Sequence, residues 1–217
     1  MAYKFKIARD PFSSYSHFIG AILSIIEMVI LIITAISHGN SNISIFSVVI
    51  FGLSMLALYS ASSIYHFASP ENPRRVKRLR KLDHSMIYVL IAGTYTPIYL
   101  NCVPKPHAYY FMTMMWAIAI VGIIVKMFWM NAPRWISTMF YVLMGWAIIF
   151  DIKVLSLIDI KAVILIALGG IAYTIGAVIY IFKKPQITKT IGFHELFHIF
   201  IMIGTSFHFL AVWLYII

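Results

Sequence analysis

The chain has few charged residues and almost no cysteine. Only 11% of its 217 residues are charged and 62% are hydrophobic, whereas a soluble domain is about 25% charged and about 45–50% apolar. This composition excludes a soluble globular domain and indicates an integral membrane protein. The single cysteine, Cys102, excludes an internal disulfide and a zinc site built on cysteine ligands.

Acidic residues are scarcer than basic ones. The sequence has 7 Asp and Glu against 17 Lys and Arg, which gives a net charge of +10. Such a charge is compatible with nucleic-acid binding, but in a membrane protein it is usually explained by basic loops that set the topology. No nucleic-acid partner is therefore predicted.

Long apolar runs dominate the rest of the chain. A helix needs about 20 apolar residues to cross a bilayer, and seven runs of about this length are present. They cover residues 17–37, 43–66, 82–101, 109–129, 135–152, 161–182 and 194–216. Polar segments such as 38–42, 69–81 and 183–190 separate them. The sequence predicts one all-α membrane domain over residues 1–217, a bundle of seven transmembrane helices.

The basic residues set the predicted orientation. Lys and Arg collect on the cytoplasmic side of a membrane protein. With seven spans, 14 of the 17 fall on the side of the N-terminus, and the other side holds only Lys105, Lys153 and Lys161. This asymmetry predicts a cytoplasmic N-terminus and an outside C-terminus.

With this topology, several costly intramembrane side chains come to the same depth. Ionisable residues in spans default to functional hypotheses because of their insertion cost. Four helices bring such groups, with one hydroxyl, to the cytoplasmic leaflet: His17 from span 1, Ser62 and His66 from span 2, Asp83 from span 3, and His194 and His198 from span 7.

The spacing of the last two histidines predicts a metal site. His194 and His198 lie at i and i+4, on one helical face, so both imidazoles can chelate one ion. A catalytic zinc usually takes three protein ligands and a water, and His66 is the third ligand at that depth. Asp83 is then placed to take a proton from the zinc-bound water. Ser62 is placed to hold that water or the carbonyl group of a ligand.

The same segment fits a second hypothesis. Residues 194–198, HELFH, match the H-E-x-x-H pattern of zinc proteases, in which Glu195 would be the general base. Membrane-embedded proteases with this motif usually add an acidic ligand from a motif resembling L-D-G. The nearest text, Leu82-Asp83-His84, lacks the glycine. An intramembrane metalloprotease therefore stays as a lesser alternative.

Two further ionisable residues have no assigned role. Glu27 lies in the middle of the first span, either paired with a polar group or protonated. His208 lies deep in the seventh span, either as a hydrogen-bonded core residue or as part of a substrate cavity.

The motifs resemble a known family. The chain is similar to the bacterial hemolysin III proteins, within the progestin and adipoQ receptor superfamily that includes the adiponectin receptors. The resemblance rests on SSIYH at 62–66, LDHS at 82–85, AGTYTP at 92–97, HELFH at 194–198, and on Tyr141, Met144, Gly145, Trp146, Gly169, Gly170, Tyr173 and Gly176.

This resemblance implies a site and an activity. It implies Zn²⁺ held by His66, His194 and His198, with a water near Asp83 and Ser62. It also implies hydrolysis of amides or esters in membrane lipids. The first motif of the family resembles E-x2-N-x3-H, whereas residues 10–17 here carry Asp10 and Ser13 in place of Glu and Asn and keep His17. The role of that motif is left open.

We therefore expect a zinc-dependent hydrolase of lipid amides or esters in the cell membrane, with its metal near the cytoplasmic leaflet and an acyl-chain substrate. The alternative is a non-enzymatic protein, either a membrane-lipid sensor or a hemolysin. A pore is disfavoured because the helices are apolar nearly all round.

Overall fold

The computed structural model describes residues 8–188 and 190–217. Within these residues all regular structure is helical, which confirms the predicted all-α class. The helices are α1 (Pro11–Ser37), α2 (Asn42–Phe67), α3 (Pro73–Cys102), α4 (Lys105–Phe128), α5 (Arg134–Gly145), α6 (Ile152–Leu155), α7 (Ile160–Phe182) and α8 (Phe193–Tyr215), with a 3-10 helix (Ala147–Asp151) before α6.

Local signals fix where α1 and α3 begin. Each starts with a proline, Pro11 or Pro73, whose missing N–H is not needed in the first turn. The Asn72 side chain caps α3 by accepting a hydrogen bond from the Arg75 backbone N–H at 3.0 Å. The prediction of a loop over 69–81 is therefore wrong from residue 73 onward, because the cap and the proline start a helix within the basic segment.

Six helical segments are long and apolar enough to cross a bilayer. They are α1, α2, α4, α7, α8 and the unit Arg134–Leu155. α3 is not among them, since its first turns are basic and its apolar part is interrupted by residues such as Thr94, Thr96 and Asn101. The chain is a multi-pass membrane protein.

α1 turns large apolar side chains outward and polar ones inward. On α1, Ile26 and Ile33 expose 50% and 61% of their surface, while Ser24 is completely buried. The Ser24 hydroxyl donates to the carbonyl of Gly20, one turn earlier, at 2.8 Å. This buried hydroxyl is thus satisfied by its own helix, as an apolar surrounding favours.

Packing brings the ends of four helices together. α1 lies against α2 and α8, α3 lies against α2 and α4, and α7 lies against α8 and α5. α3 also contacts α5 and α8. The N-terminal ends of α1 and α8 therefore meet the C-terminal end of α2 beside the first half of α3.

The fifth membrane segment is broken rather than continuous. The sequence predicts one span over 135–152, but α5 ends at Gly145 and a 3-10 helix follows. The Tyr95 hydroxyl donates to the Gly145 carbonyl at 2.6 Å and accepts from the Ile148 N–H at 3.3 Å. A side chain of α3 thus satisfies backbone groups that the break releases.

Gly93→Ala should lower the melting temperature of the detergent-solubilised protein. Alanine normally favours a helix over glycine by about 0.8–1.0 kcal/mol. A Cβ at residue 93, however, would lie 2.2 Å from Ser54 Oγ and 2.5 Å from Ser54 Cβ, so α2 and α3 would have to separate.

Gly145→Ala is the matched control, since among the described residues nothing lies within 4 Å of its Cβ position. Equal melting temperatures for the two variants would contradict the close packing of α2 on α3.

Candidate metal centre

Three histidines from two helices meet at one end of the bundle. His66 lies in the last turn of α2, and His194 and His198 lie one turn apart at the start of α8. One ring nitrogen of each falls within 4.8 Å of the others. The Nε2 atoms of His66 and His194 are 3.2 Å apart, close to the roughly 3.4 Å expected for two nitrogens on one tetrahedral zinc. This group is able to hold a metal ion.

His198 gives an independent test of that fit. Its side chain is 2% exposed, and within 8–188 and 190–217 its buried Nδ1 has no hydrogen-bond partner. A buried polar atom without a partner costs free energy. Two further imidazoles lie beside it, with ring centroids 4.7 and 5.0 Å away, so a shared cation suits the donor set.

Asp10 orients His66. The Nδ1–H of His66 donates to Oδ2 of Asp10 at 2.9 Å. The Nε2 lone pair of His66 then points toward the other two imidazoles and is available to a cation that all three would share. This hydrogen bond, helped by Arg9, outweighs partial burial and lowers the pKa of Asp10 from 3.8 to about 2. The carboxylate is therefore ionised above that pH. Its stabilising contribution is complete well above pH 3.8 and is lost progressively as the pH falls from 3.8 through about 2.

The rest of the segment 10–17 supports the same cluster. The Ser13 hydroxyl donates to Oε1 of Glu195 at 3.4 Å. The His17 ring is stacked on His198, with a centroid separation of 3.8 Å and an interplanar angle of 14°. The motif left open by the sequence is thus a scaffold, in which Asp10, Ser13 and His17 each contact a residue of the histidine cluster or its helix.

Glu195 is engaged in starting α8. Its Oε2 accepts a hydrogen bond from the Gly192 backbone N–H at 2.9 Å, and its Oε1 faces Ser13. This is the geometry of a helix N-terminal cap. If Glu195 were the general base of an H-E-x-x-H protease, its carboxylate would have to leave these partners and turn toward the three histidines.

The predicted catalytic residues share a cavity with the histidines. A cavity of about 200 Å³ is lined at this end by His17, Ser62, Asp83, His194 and His198. It continues between α3, α5, α7 and α8, past Tyr95, to His208. All sequence-predicted site residues except His66 and Glu195 therefore line the same cavity. His66 lies behind this lining, with its Nε2 atom next to that of His194.

Sequence reasoning did not find the partner of His66. Asp10 precedes His66 by 56 residues, and the contact depends on α1 lying against the end of α2. The only available signal was the family-like spacing of Asp10, Ser13 and His17, which identifies a motif without saying what it touches.

Comparisons with known proteins assign the chain to a family. The chain belongs to the haemolysin-III-related family, whose model matches residues 5–209. This confirms the resemblance drawn from the motifs.

Individual relatives cover most of the chain. It is similar to Hemolysin-3 of Bacillus cereus, with 37% identity over 207 residues, 94% of this chain and 90% of that protein. It is 36% identical over 213 residues to the Hemolysin-3 homolog of Bacillus subtilis (strain 168), covering 97% and 96% of the two chains. The monocyte to macrophage differentiation factor of Rattus norvegicus is 27% identical over 171 residues, 77% of this chain and 69% of that protein.

Asp10→Ala should weaken Zn²⁺ binding about 10- to 100-fold, because His66 would lose the acceptor that fixes its tautomer and ring orientation. The affinity can be measured by competition with a zinc-sensitive dye. Glu71→Ala, which removes an exposed acid from the loop between α2 and α3, should bind zinc like the wild type. Unchanged affinity in Asp10→Ala would show that the carboxylate does not organise the site.

Proposed function

We propose that the protein is a zinc-dependent hydrolase of amide or ester bonds in membrane lipids. The observation that carries the proposal is the cluster of His66, His194 and His198 beside a carboxylate, Asp83, on a largely apolar cavity. Three imidazole ligands with a further position left for water are typical of catalytic zinc rather than structural zinc.

His66, His194 and His198 would hold the metal. Bound there, zinc would polarise a carbonyl group and lower the pKa of a water molecule to about 7. Neutral imidazoles suit this ion, and the oxygen-preferring cations Mg²⁺ and Ca²⁺ are poorly matched to three nitrogens.

Asp83 supplies the proton transfer. In hydrolysis of an amide, water adds to the carbonyl carbon, the C–N bond breaks and a proton passes from the water to the leaving nitrogen. The Asp83 carboxylate accepts that proton and then donates it to the amine. Ser62, which lines the same end of the cavity, donates a hydrogen bond to the carbonyl oxygen of the substrate.

The cavity supports a lipid substrate. Beyond the histidines its lining is mainly apolar and includes Leu58, Ile87, Ile91, Ile166 and Ile201. An acyl chain fits such a lining, since apolar contacts are the main contribution that it offers. The substrate would present its amide or ester to the histidines and its chain to the interior of the bundle.

The proposed topology places this site near the cytoplasmic leaflet. α3 would cross the membrane in addition to the six apolar segments and bring the number of spans to seven. The N-terminus would then lie inside the cell and the C-terminus outside. Support comes from the distribution of Lys and Arg and from the burial of α3 residues such as Ile98 and Tyr99, which are 1% and 0% exposed.

Cytolysis is the second candidate, because two relatives carry the name Hemolysin-3. A water-filled pore needs a polar lining, and the apolar outer surface of α1 does not offer one. A sensor that binds lipid without turnover would use the same cavity, and only a measurement of product separates it from the hydrolase.

Asp83→Asn should retain zinc and lose turnover of lipid amides by at least about 100-fold, because the amide side chain cannot accept the proton. His198→Ala should lose both zinc and turnover. Zinc is measured by elemental analysis of purified protein, with about one ion expected per wild-type chain, and turnover by lipid mass spectrometry.

His38→Ala is the control, since this exposed histidine lies outside the cavity. Zinc retained in His198→Ala would refute the metal site. Activity lost in Glu195→Gln but kept in Asp83→Asn would establish the protease-like arrangement instead. Wild-type protein that holds zinc and releases no product would contradict the hydrolase and favour the lipid sensor.

Alkaline phosphatase fused after Ile217 should be active in a Gram-negative host, and the same enzyme fused after Arg78 should be inactive. The phosphatase needs disulfides, which form only in the periplasm, so its activity reports the side of each fusion point. A fusion after Lys105 should be active as a second outside marker. An inactive fusion after Ile217 would favour six spans.

A further inference from the structure

His208 lies at the far end of the cavity from the metal centre. It is ten residues beyond His198 on α8, which separates the two by about 15 Å along a helix. Its side chain is 6% exposed, yet it lines the cavity together with Tyr173, Ile166 and Gly170. A buried imidazole at this depth is a functional hypothesis by default, because it is costly in a membrane.

The tautomer of His208 is fixed by its own helix. Its Nδ1 lies 2.7 Å from the carbonyl oxygen of Gly204. A carbonyl only accepts, so Nδ1 carries the proton and Nε2 is a bare acceptor. Throughout 8–188 and 190–217, no side chain or backbone group donates to this Nε2.

One glycine makes room for this ring, and a second makes room for the tyrosine stacked on it. A Cβ at Gly169 would lie 2.4 Å from His208 Cε1 and Nδ1, and one at Gly204 would lie 2.4 Å from Tyr173. Tyr173 stacks on His208 at a centroid distance of 5.3 Å, and its hydroxyl bonds Thr205 at 2.9 Å. The imidazole is held in a fitted slot, with the Nδ1 edge against Gly169.

The neighbouring polar groups of this half of the cavity already have acceptors. The Tyr95 hydroxyl donates to Gly145, and the Trp146 indole donates to Thr174 at 2.9 Å. The Thr174 hydroxyl donates in turn to Gly170 at 2.7 Å. The Nε2 atom of His208 is thus an acceptor without a donor among the described residues, in a lining of apolar side chains and of polar ones that are already hydrogen-bonded.

We propose that His208 Nε2 accepts a hydrogen bond from a hydroxyl or N–H group near the far end of a bound acyl chain. This inference rests on the proposed lipid substrate and adds a second polar anchor to it. An extended chain advances about 1.2 Å per bond, so the 15 Å between the centres corresponds to a donor about 12 bonds from the group at the metal. The preferred ligand is an acyl chain hydroxylated near that position.

The test compares two isomers of hydroxydodecanoic acid, with the hydroxyl either at the far (ω) carbon or beside the carboxyl group. Zinc-loaded protein in detergent binds a fluorescent fatty acid, and each isomer competes for it. The wild type should prefer the ω isomer roughly five- to tenfold, the effect of one buried hydrogen bond. The partition of each isomer into detergent is measured separately and its affinity is corrected for it, because a terminal hydroxyl disfavours insertion of the chain into a micelle.

Variants assign the preference to one atom. His208→Phe should abolish it, His208→Gln should keep part of it, and His38→Phe, which alters an exposed histidine, should leave it unchanged. Plain dodecanoic acid should bind wild type and His208→Phe alike.

The outcomes separate this inference from the proposed function. Equal affinity of the wild type for both isomers overturns the role of His208 and leaves the hydrolase standing. A preference that survives in His208→Phe overturns it as well. If neither isomer nor dodecanoic acid competes, both the anchor and the lipid-binding cavity are refuted.

Discussion

Polar groups cannot face hydrocarbon without a partner, and this constraint organises the whole molecule. Hydroxyls such as Ser24 turn inward and bond to their own helix, while isoleucines such as Ile33 cover the outside. At the break after Gly145, the Tyr95 hydroxyl donates a hydrogen bond to the Gly145 carbonyl and accepts one from the Ile148 N–H. The interior is therefore where the chain can place imidazoles and carboxylates, and its single histidine cluster with metal-ligand spacing in the described residues lies there.

The histidine cluster depends on a segment that contributes no histidine to the set of His66, His194 and His198. Asp10 fixes the ring of His66, Ser13 contacts Glu195, and His17 covers His198. α1 is thus the common support of two ligand-bearing helices, α2 and α8, that come from opposite ends of the sequence. Asp10 supplies an acceptor for His66 at the first position of this motif, and Ser13 supplies a hydrogen-bonding side chain for Glu195 at the second.

The sequence predicts the histidine cluster better than its surroundings. The i, i+4 spacing of His194 and His198 and the depth of His66 follow from helix geometry and from the charge asymmetry, so the three members of the cluster could be named in advance. Asp10 could not be paired with His66, because 56 residues and a change of helix lie between them. The early start of α3 and the break at Gly145 were also missed, since each depends on a local cap or a partner from another helix.

The environment of Glu195 favours one of two interpretations of the same five residues. In a helix that began earlier, the glutamate of H-E-x-x-H would lie within the helix with no orphan backbone N–H to cap. Here α8 begins at Phe193, so Glu195 falls in the first turn, where it accepts from the Gly192 N–H. Capping uses one carboxylate oxygen and Ser13 occupies the other. The carboxylate that lines the cavity instead belongs to another helix, as Asp83 of α3.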